Sequence, residues 1–401
     1  MRKPVRRSLV PCLALVLSAP AWGAEGRLTL QPSPGERVEA PIRVPVAGAL
    51  AEGRYQLTSE GGSAAIPAVV VGEADRSALI FISPGITEPT TYKLSKAADQ
   101  GPSSGGVTFA PRGANLEILV DGEQLGVHTV DVGAKPFLFP LIGPTGDRYT
   151  RAFPMEEVEG ESKDHPHQRS FWFTHGEVNG VDFWSEMKGH GTIKETARSV
   201  AASGPVLGRL TSRDDWLGPD GVKVCEDERA LTVYYTRSVR ILDFAITITA
   251  SEGPLDFGDT KEGTFGVRVA SSMDVDRKTG GKIRNAEGLE DAAAWGKASP
   301  WVDYSGPVGG KTVGVAIFND PASFRYPTPW HVRTYGLFAA NPFGLRDFGM
   351  DESGEHKLAK GESLWFGYRV ILHAGDADAA KIADQFHVYS EPPNYELILA
   401  E

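Results

Sequence analysis

The chain is expected to be all-β, and three observations carry that expectation. Glycine (46) and proline (28) are abundant among the 401 residues, so turns are frequent. Long stretches with apolar residues at helical spacing are scarce. Many short runs alternate apolar and polar side chains with a period of two, as strands with one buried face do. Together these features predict a small N-terminal β-sandwich, a large antiparallel β-sandwich after it, and one short helix near the C terminus.

Residues 1–24 read as a secretory signal. Arg2, Lys3, Arg6 and Arg7 precede a short apolar run from Leu9 to Leu17, and Gly23 and Ala24 offer a cleavage site. The run is shorter than the roughly 20 residues a membrane span needs, and no later segment reaches that length. A periplasmic or secreted protein is expected. Cys12 would leave with the signal, so Cys225 would be alone, with no intrachain disulfide.

Residues 25–98 form the first β unit. Strand-like runs at Tyr55–Thr58, Ala68–Val71, Ala78–Ile82 and Thr90–Leu94 are separated by Gly, Ser and Glu turns, a rhythm that suits an immunoglobulin-like sandwich. A packing or spacer role is expected of it. Residues 99–106, rich in Gly, Ser and Pro, read as a linker.

Residues 107–401 form the large unit. Asp121-Gly122 predicts a tight hairpin, and Pro136–Ile142 a buried strand. Leu231, Val233 and Tyr235 alternate with their neighbours. Phe244, Ile246 and Ile248 do the same after a break placed near Leu242-Asp243, which gives two long strands. Similar patterns recur at Phe265–Val269, Val313–Ile317 and Ser363–Leu372. The helix is expected over Ala377–His387.

The net charge of −11 argues against a nucleic-acid binder, which needs a basic footprint. No phosphate-cradling Gly-x-x-x-x-Gly-Lys-Ser/Thr, no dinucleotide Gly-x-Gly-x-x-Gly after a strand and no Gly-x-Ser-x-Gly elbow is present. Nucleotide chemistry and serine hydrolysis of that type are therefore not expected. A carbohydrate or other small polar ligand is the expected partner.

Chemistry concentrates in three stretches. Four of the nine histidines lie at His165, His167, His175 and His190, interleaved with Arg169, Trp172, Asp182 and Trp184. On an extended chain His165 and His167 point the same way. They could ligate a divalent metal, with Asp182, His190 or His331 as third ligand, or bind sugar hydroxyls or act as a general acid/base pair, or pack beside Pro166. Phe171, Phe173 and His175 share a face, with Trp172 on the other, and Val181–Trp184 should resume a strand after an Asn179-Gly180 turn. Tryptophan in a cleft offers a platform for a sugar ring.

In the second stretch, Glu262, Thr264, Gly266 and Arg268 would share one strand face, while Phe265, Val267 and Val269 pack the other. A carboxylate base tuned by a neighbouring cation is the functional reading, an exposed ion pair the plain one. In the third, His331, Arg333 and Tyr335 alternate onto one face that is polar-tipped throughout, and Asn341 follows.

On these residues (His165-Pro166-His167-Gln168-Arg169, Val181–Trp184, His190-Gly191, Asp259-Thr260-Lys261-Glu262-Gly263, His331-Val332-Arg333 and Asn341-Pro342-Phe343-Gly344) the chain resembles the family of exported bacterial proteins labelled methane oxygenase PmoA-like. The likeness spans about residues 107–390. More distantly the β-rich body resembles galactose-mutarotase-like proteins. That resemblance implies a large β super-sandwich, a carbohydrate ligand, and a His and a Glu as acid and base. His175, Glu262 and His331 are the candidates for those roles. His165, His167, Arg169, Trp172, Asp182, Trp184, His190, Arg268, Arg333, Tyr335 and Asn341 would contact substrate. A non-catalytic glycan-binding module and a metal-dependent enzyme, an oxygenase included, stand as alternatives.

Overall fold

The computed structural model describes residues 25–400 apart from 33–37, 47–49, 60–61, 63, 74–75 and 98–104. The signal segment and most of the linker lie outside the described residues. Among the described residues the fold is all-β, with sandwich-like sheets and one α-helix near the C terminus. Among the described residues no helix is long and apolar enough to cross a membrane.

Two eight-stranded antiparallel sheets face each other. In the first, strands run Trp330–Val332, Leu337–Ala340, Gly263–Arg268, Phe171–His175, Phe137–Leu141, Glu123–Thr129, Asn115–Val120 and Val107–Arg112. In the second they run Thr192–Ala202, Leu207–Leu217, Lys223–Tyr234, Arg240–Thr249, Ser363–Ala374, Lys311–Asn319, Trp301–Val308 and Lys282–Asn285. The main core lies between them, where Phe171, Phe173, Phe265 and Val267 of the first sheet meet Leu210, Leu231, Phe244, Ile246 and Val370 of the second. Burial of each such side chain stabilises the fold by roughly 1.5–3 kcal/mol.

Six strands between Glu25 and Lys96 belong to one seven-stranded sheet. The seventh strand, Asn394–Leu399, comes from the far end of the chain and pairs antiparallel with Glu25–Gln31. One side of this sheet has its own core, built on Leu28, Ile42, Leu57 and Phe81. Its other side packs on the second large sheet, where Ala78 and Ile80 join Tyr234, Ile241, Phe318 and Ile371 in one cluster. The second sheet is thus covered on both faces where the N-terminal unit sits.

That double coverage explains one misplaced boundary. The break expected near Leu242-Asp243 falls instead between Tyr234 and Arg240, where Thr236 Oγ1 donates to the Val239 carbonyl at 2.7 Å. Ile241 and Leu242 are both fully buried, one in each cluster, so the alternation is lost inside a continuous strand. The helix spans Ile382–Ser390, shifted toward the C terminus from its expected place. The Asp121-Gly122 turn is as expected, both residues having positive φ (52° and 81°).

Candidate active site on the outer face of the first sheet

The first sheet turns its other face away from the main core. Strand register puts a row of residues directly opposite one another across it: His331, Ala339, Gly266, Trp172, Phe137 and Thr129. Gly266 is required there. A Cβ on it would lie 2.6 Å from the Trp172 ring. Trp172 is 1 % exposed, and so is Trp184, whose ring centroid lies 5.4 Å away. Phe137, Phe139, Ala152, Leu337 and Ala339 complete the cluster. The two tryptophans are therefore packing residues, not the exposed sugar platforms anticipated from sequence.

Loop 151–170 crosses this face and is held by a buried charge network. Arg151 and Arg268, 0 % and 1 % exposed, both bind Asp164 Oδ1, Arg268 at 2.9 Å. Arg151 also donates to the His165 carbonyl at 3.0 Å, and Arg268 to Gln168 Oε1. Burial, with Arg268 beside it, lowers the Arg151 guanidinium to about 10. Burial works to raise the Asp164 carboxyl, but Arg268, the hydrogen bonds of His165 and Ser162, and Arg151 outweigh it and hold the group at about 2.

The other Asp164 oxygen, Oδ2, lies 2.9 Å from His165 Nδ1. His165 has φ of +42°, an uncommon value for a residue with a side chain, and its ring is exposed. With Nδ1–H given to the carboxylate, the lone pair of the neutral ring is on Nε2. The ring stacks on Tyr335 at 5.2 Å with an interplanar angle of 6°. It meets His167 edge-on at 5.7 Å. His167, next to Trp184, is lowered to about 4 by burial and by Lys135.

Tyr335 joins this group to the third stretch. The guanidinium carbons of Arg268 and Arg333 lie 4.9 Å and 5.6 Å from its ring centroid. Arg333 also lies 5.6 Å from the Trp295 ring and has no carboxylate partner among the described residues. The expected strand ends at Val332, and residues 333–336 form a turn closed by Gly336 N donating to the Arg333 carbonyl. His331 is 2 % exposed and receives the Trp295 Nε1–H on Nδ1 at 3.0 Å, so its own proton is on Nε2. Burial, then Arg333, Lys261 and His165, lower it to about 3. Glu262 is 36 % exposed, lies 3.4 Å from Lys261 and acts electrostatically on Tyr335.

Several expected residues are elsewhere or otherwise engaged. His175 is on the core side of the sheet, 0 % exposed, against Phe343 and Phe257. Its Nε2 donates to the Gly258 carbonyl at 2.9 Å, and burial lowers it to about 4. It cannot meet a substrate on the outer face. Glu262 and Arg268 share no open polar surface, because Trp172 covers Gly266 between them and Arg268 serves Asp164. Asp182 caps its own loop, accepting from the Trp184 and Ser185 amides at 2.7 and 3.0 Å. Val181–Trp184 is accordingly not a strand. Asn341 holds a turn through Phe343 N and Thr260 O, and His190 bonds the Gly191 carbonyl. Arg169 pairs with Glu186, which also takes the buried Lys135 at 2.7 Å.

The proposed metal pair fares similarly. His165-Pro166-His167-Gln168 is a turn, with Gln168 N donating to the His165 carbonyl at 3.0 Å, so the two imidazoles are not ligands side by side on a strand. Among the described residues no three His, Cys, Asp or Glu gather as a metal site.

Sequence reading missed Asp164, Arg151, Gln168 and Trp295. Asp164 adjoins His165 in the sequence, and that adjacency was a usable signal for a carboxylate–imidazole pair. Arg151 and Trp295 are distant in sequence and carried none. Also missed was a groove of about 490 Å³ further along the face, lined by Gln124, Thr129, Phe139, Arg148 and Glu156.

Residues 115–387 match the model of a family described as a family of unknown function, DUF6807. The chain belongs to the DUF6807 family. No curated protein matches it. Among solved structures, a glycosyl hydrolase family 38 protein from Enterococcus faecalis is similar over 93 % of this chain and 47 % of its own, at 12 % identity and a TM-score of 0.43. An α-mannosidase from Enterococcus faecalis V583 is similar over 94 % and 46 %, at 11 % identity and 0.40. The galactosidase domain of an α-galactosidase–sucrose kinase is similar over 70 % and 43 %, at 11 % identity and 0.34. The chain spans less than half the length of each, and likeness this slight assigns no activity. None of these matches supports the PmoA-like resemblance.

Proposed function

We propose that this DUF6807 protein is an exported carbohydrate-active enzyme using His/Glu acid–base chemistry on a sugar or small glycoside. The observation that carries the reading is the Asp164–His165 pair. Asp164, kept ionised by two buried arginines, orients His165 so that Nε2 faces outward as a base. Tyr335 stacks against it, and Arg333, which lies against both Tyr335 and Trp295 and has no carboxylate partner among the described residues, is the group for a hydroxyl or carboxylate. Glu262 is the second acid–base group, and His331 Nε2–H a neutral donor. Reactions this set can run are epimerisation, lyase or hydrolytic chemistry, each needing one proton removed and one delivered.

The test is a screen of mono- and oligosaccharides, including uronic acids, for turnover by the full chain and by His165→Gln. Turnover that the variant loses supports the enzyme. Binding without turnover supports the glycan-binding alternative, which the aromatic rim also fits. Turnover unaffected by His165→Gln would overturn the assignment.

A further inference from the structure

A second groove lies on the opposite side of the sandwich, on the outer face of the second large sheet. Two connected hollows, of about 710 and 520 Å³, share Arg209, Ala230, Ala245 and Trp365. Pro41, Arg43 and Ile80 of the N-terminal unit wall the second hollow. Trp365 is 36 % exposed, among the few large apolar side chains at the surface. A Cβ on Gly367 would lie 2.4 Å from its indole, so the six-membered ring packs over Gly367 while about a third of the residue stays open to solvent. Ala245 and Ala230 stand in register with Gly367 on the next two strands and leave the floor beside the indole low.

The charges around this floor are engaged with one another. Arg213 pairs with Glu228 at 2.7 Å, Arg369 with Asp243 at 2.6 Å, and Tyr389 donates to Asp320 at 2.7 Å. Arg43 and Arg209 also have partners. The groove therefore offers hydrogen-bonding edges without a cation set aside for a polyanion. An aromatic face carries negative charge density and attracts the weakly positive C–H groups of a pyranose ring. Paired Arg, Asp, Glu and Thr side chains beside it suit hydroxyls. Four adjacent strands span about 14 Å, room for a chain of several sugars.

We infer that this groove binds a neutral polysaccharide chain, stacked on Trp365, at a site separate from the outer face of the first sheet. The chain would hold the protein on a polymer while the first-sheet site faces away from it.

The experiment is native affinity electrophoresis of the full chain in gels containing a soluble β-glucan, a mannan, a xylan or a galactomannan. At least one should retard the protein. Trp365→Ala should weaken that retardation at least tenfold, and Ala245→Gln, which fills the floor beside the indole, should do the same. His165→Gln should leave it unchanged. Absence of retardation by all four polymers, or retardation that survives both groove variants, would overturn the inference. So would loss in His165→Gln alone, which would place the polymer on the first sheet. Failure here leaves the first-sheet enzyme reading to its own test of turnover.

Discussion

Asp164 Oδ2 lies 2.9 Å from His165 Nδ1, and its partner oxygen is held by two arginines that are essentially inaccessible to water. Asp164→Asn should therefore have two effects. The amide cannot fix the imidazole tautomer, so kcat on the sugar identified by screening should fall on the order of 10²–10⁴ with little change in KM. Arg151 and Arg268 also lose their shared anion. Breaking a fully buried pair costs about 3–5 kcal/mol, and the 35 % exposure of Asp164 reduces the expected loss to roughly 2–3 kcal/mol. Kinetics and urea denaturation read the two separately. A stability loss with kcat intact would leave Asp164 a structural residue only.

Glu262→Gln keeps the shape of the side chain and removes its proton affinity. It should abolish turnover while binding of the sugar, measured by calorimetry, stays within about threefold. Its half-exposed position beside Lys261 predicts a stability change below about 1 kcal/mol, as for other surface pairs. Retained turnover would remove Glu262 from the chemistry.

Stability should depend on pH through two opposed groups of buried residues. His175 and His331 are lowered to about 4 and about 3, in both cases first by burial. The fold prefers the neutral rings, so their contribution is complete above about 6.5 and is lost as pH falls through the folded values. Asp274 is raised to about 7 and Asp214 is raised as well, again first by burial. Their contribution is complete below about 4 and is lost as pH rises toward 7. Single variants separate the groups. His331→Gln should be most destabilised relative to the parent at pH 8 and converge with it by several kcal/mol toward pH 4. Asp274→Asn should gain on the parent from pH 5 to 8. Differences that stay constant across that range would contradict the burial argument.

The fold was legible where one face of a strand is buried and the other wet, because alternation then reports both. It failed at Ile241-Leu242, where both faces are covered. It also failed to separate the last strand from the large unit, since nothing in Asn394–Leu399 names Glu25–Gln31 as its partner. The site was half legible. His165, His167, His331, Arg333 and Tyr335 do meet, as their residue types suggested. His175 does not, because a histidine on a core face and one on a site face alternate identically in sequence. Two of the groups that organise the site, Arg151 and Trp295, are brought in by tertiary contacts that no local pattern encodes.

Trp172 gives the sharpest separation of packing from binding. Its ring occupies the space a Cβ on Gly266 would need, and Trp184 and Phe137 close in around it. Gly266→Ala should therefore cost about 1–3 kcal/mol by overpacking. Trp172→Leu should cost about 3 kcal/mol through the cavity it leaves. Together they should cost clearly less than the sum, because the smaller side chain makes room for the methyl group. Thermal or urea unfolding of the four proteins closes the cycle. Strict additivity would mean that the ring and Gly266 do not touch. A fall in sugar affinity on Trp172→Leu without loss of stability would put the indole back on the binding surface.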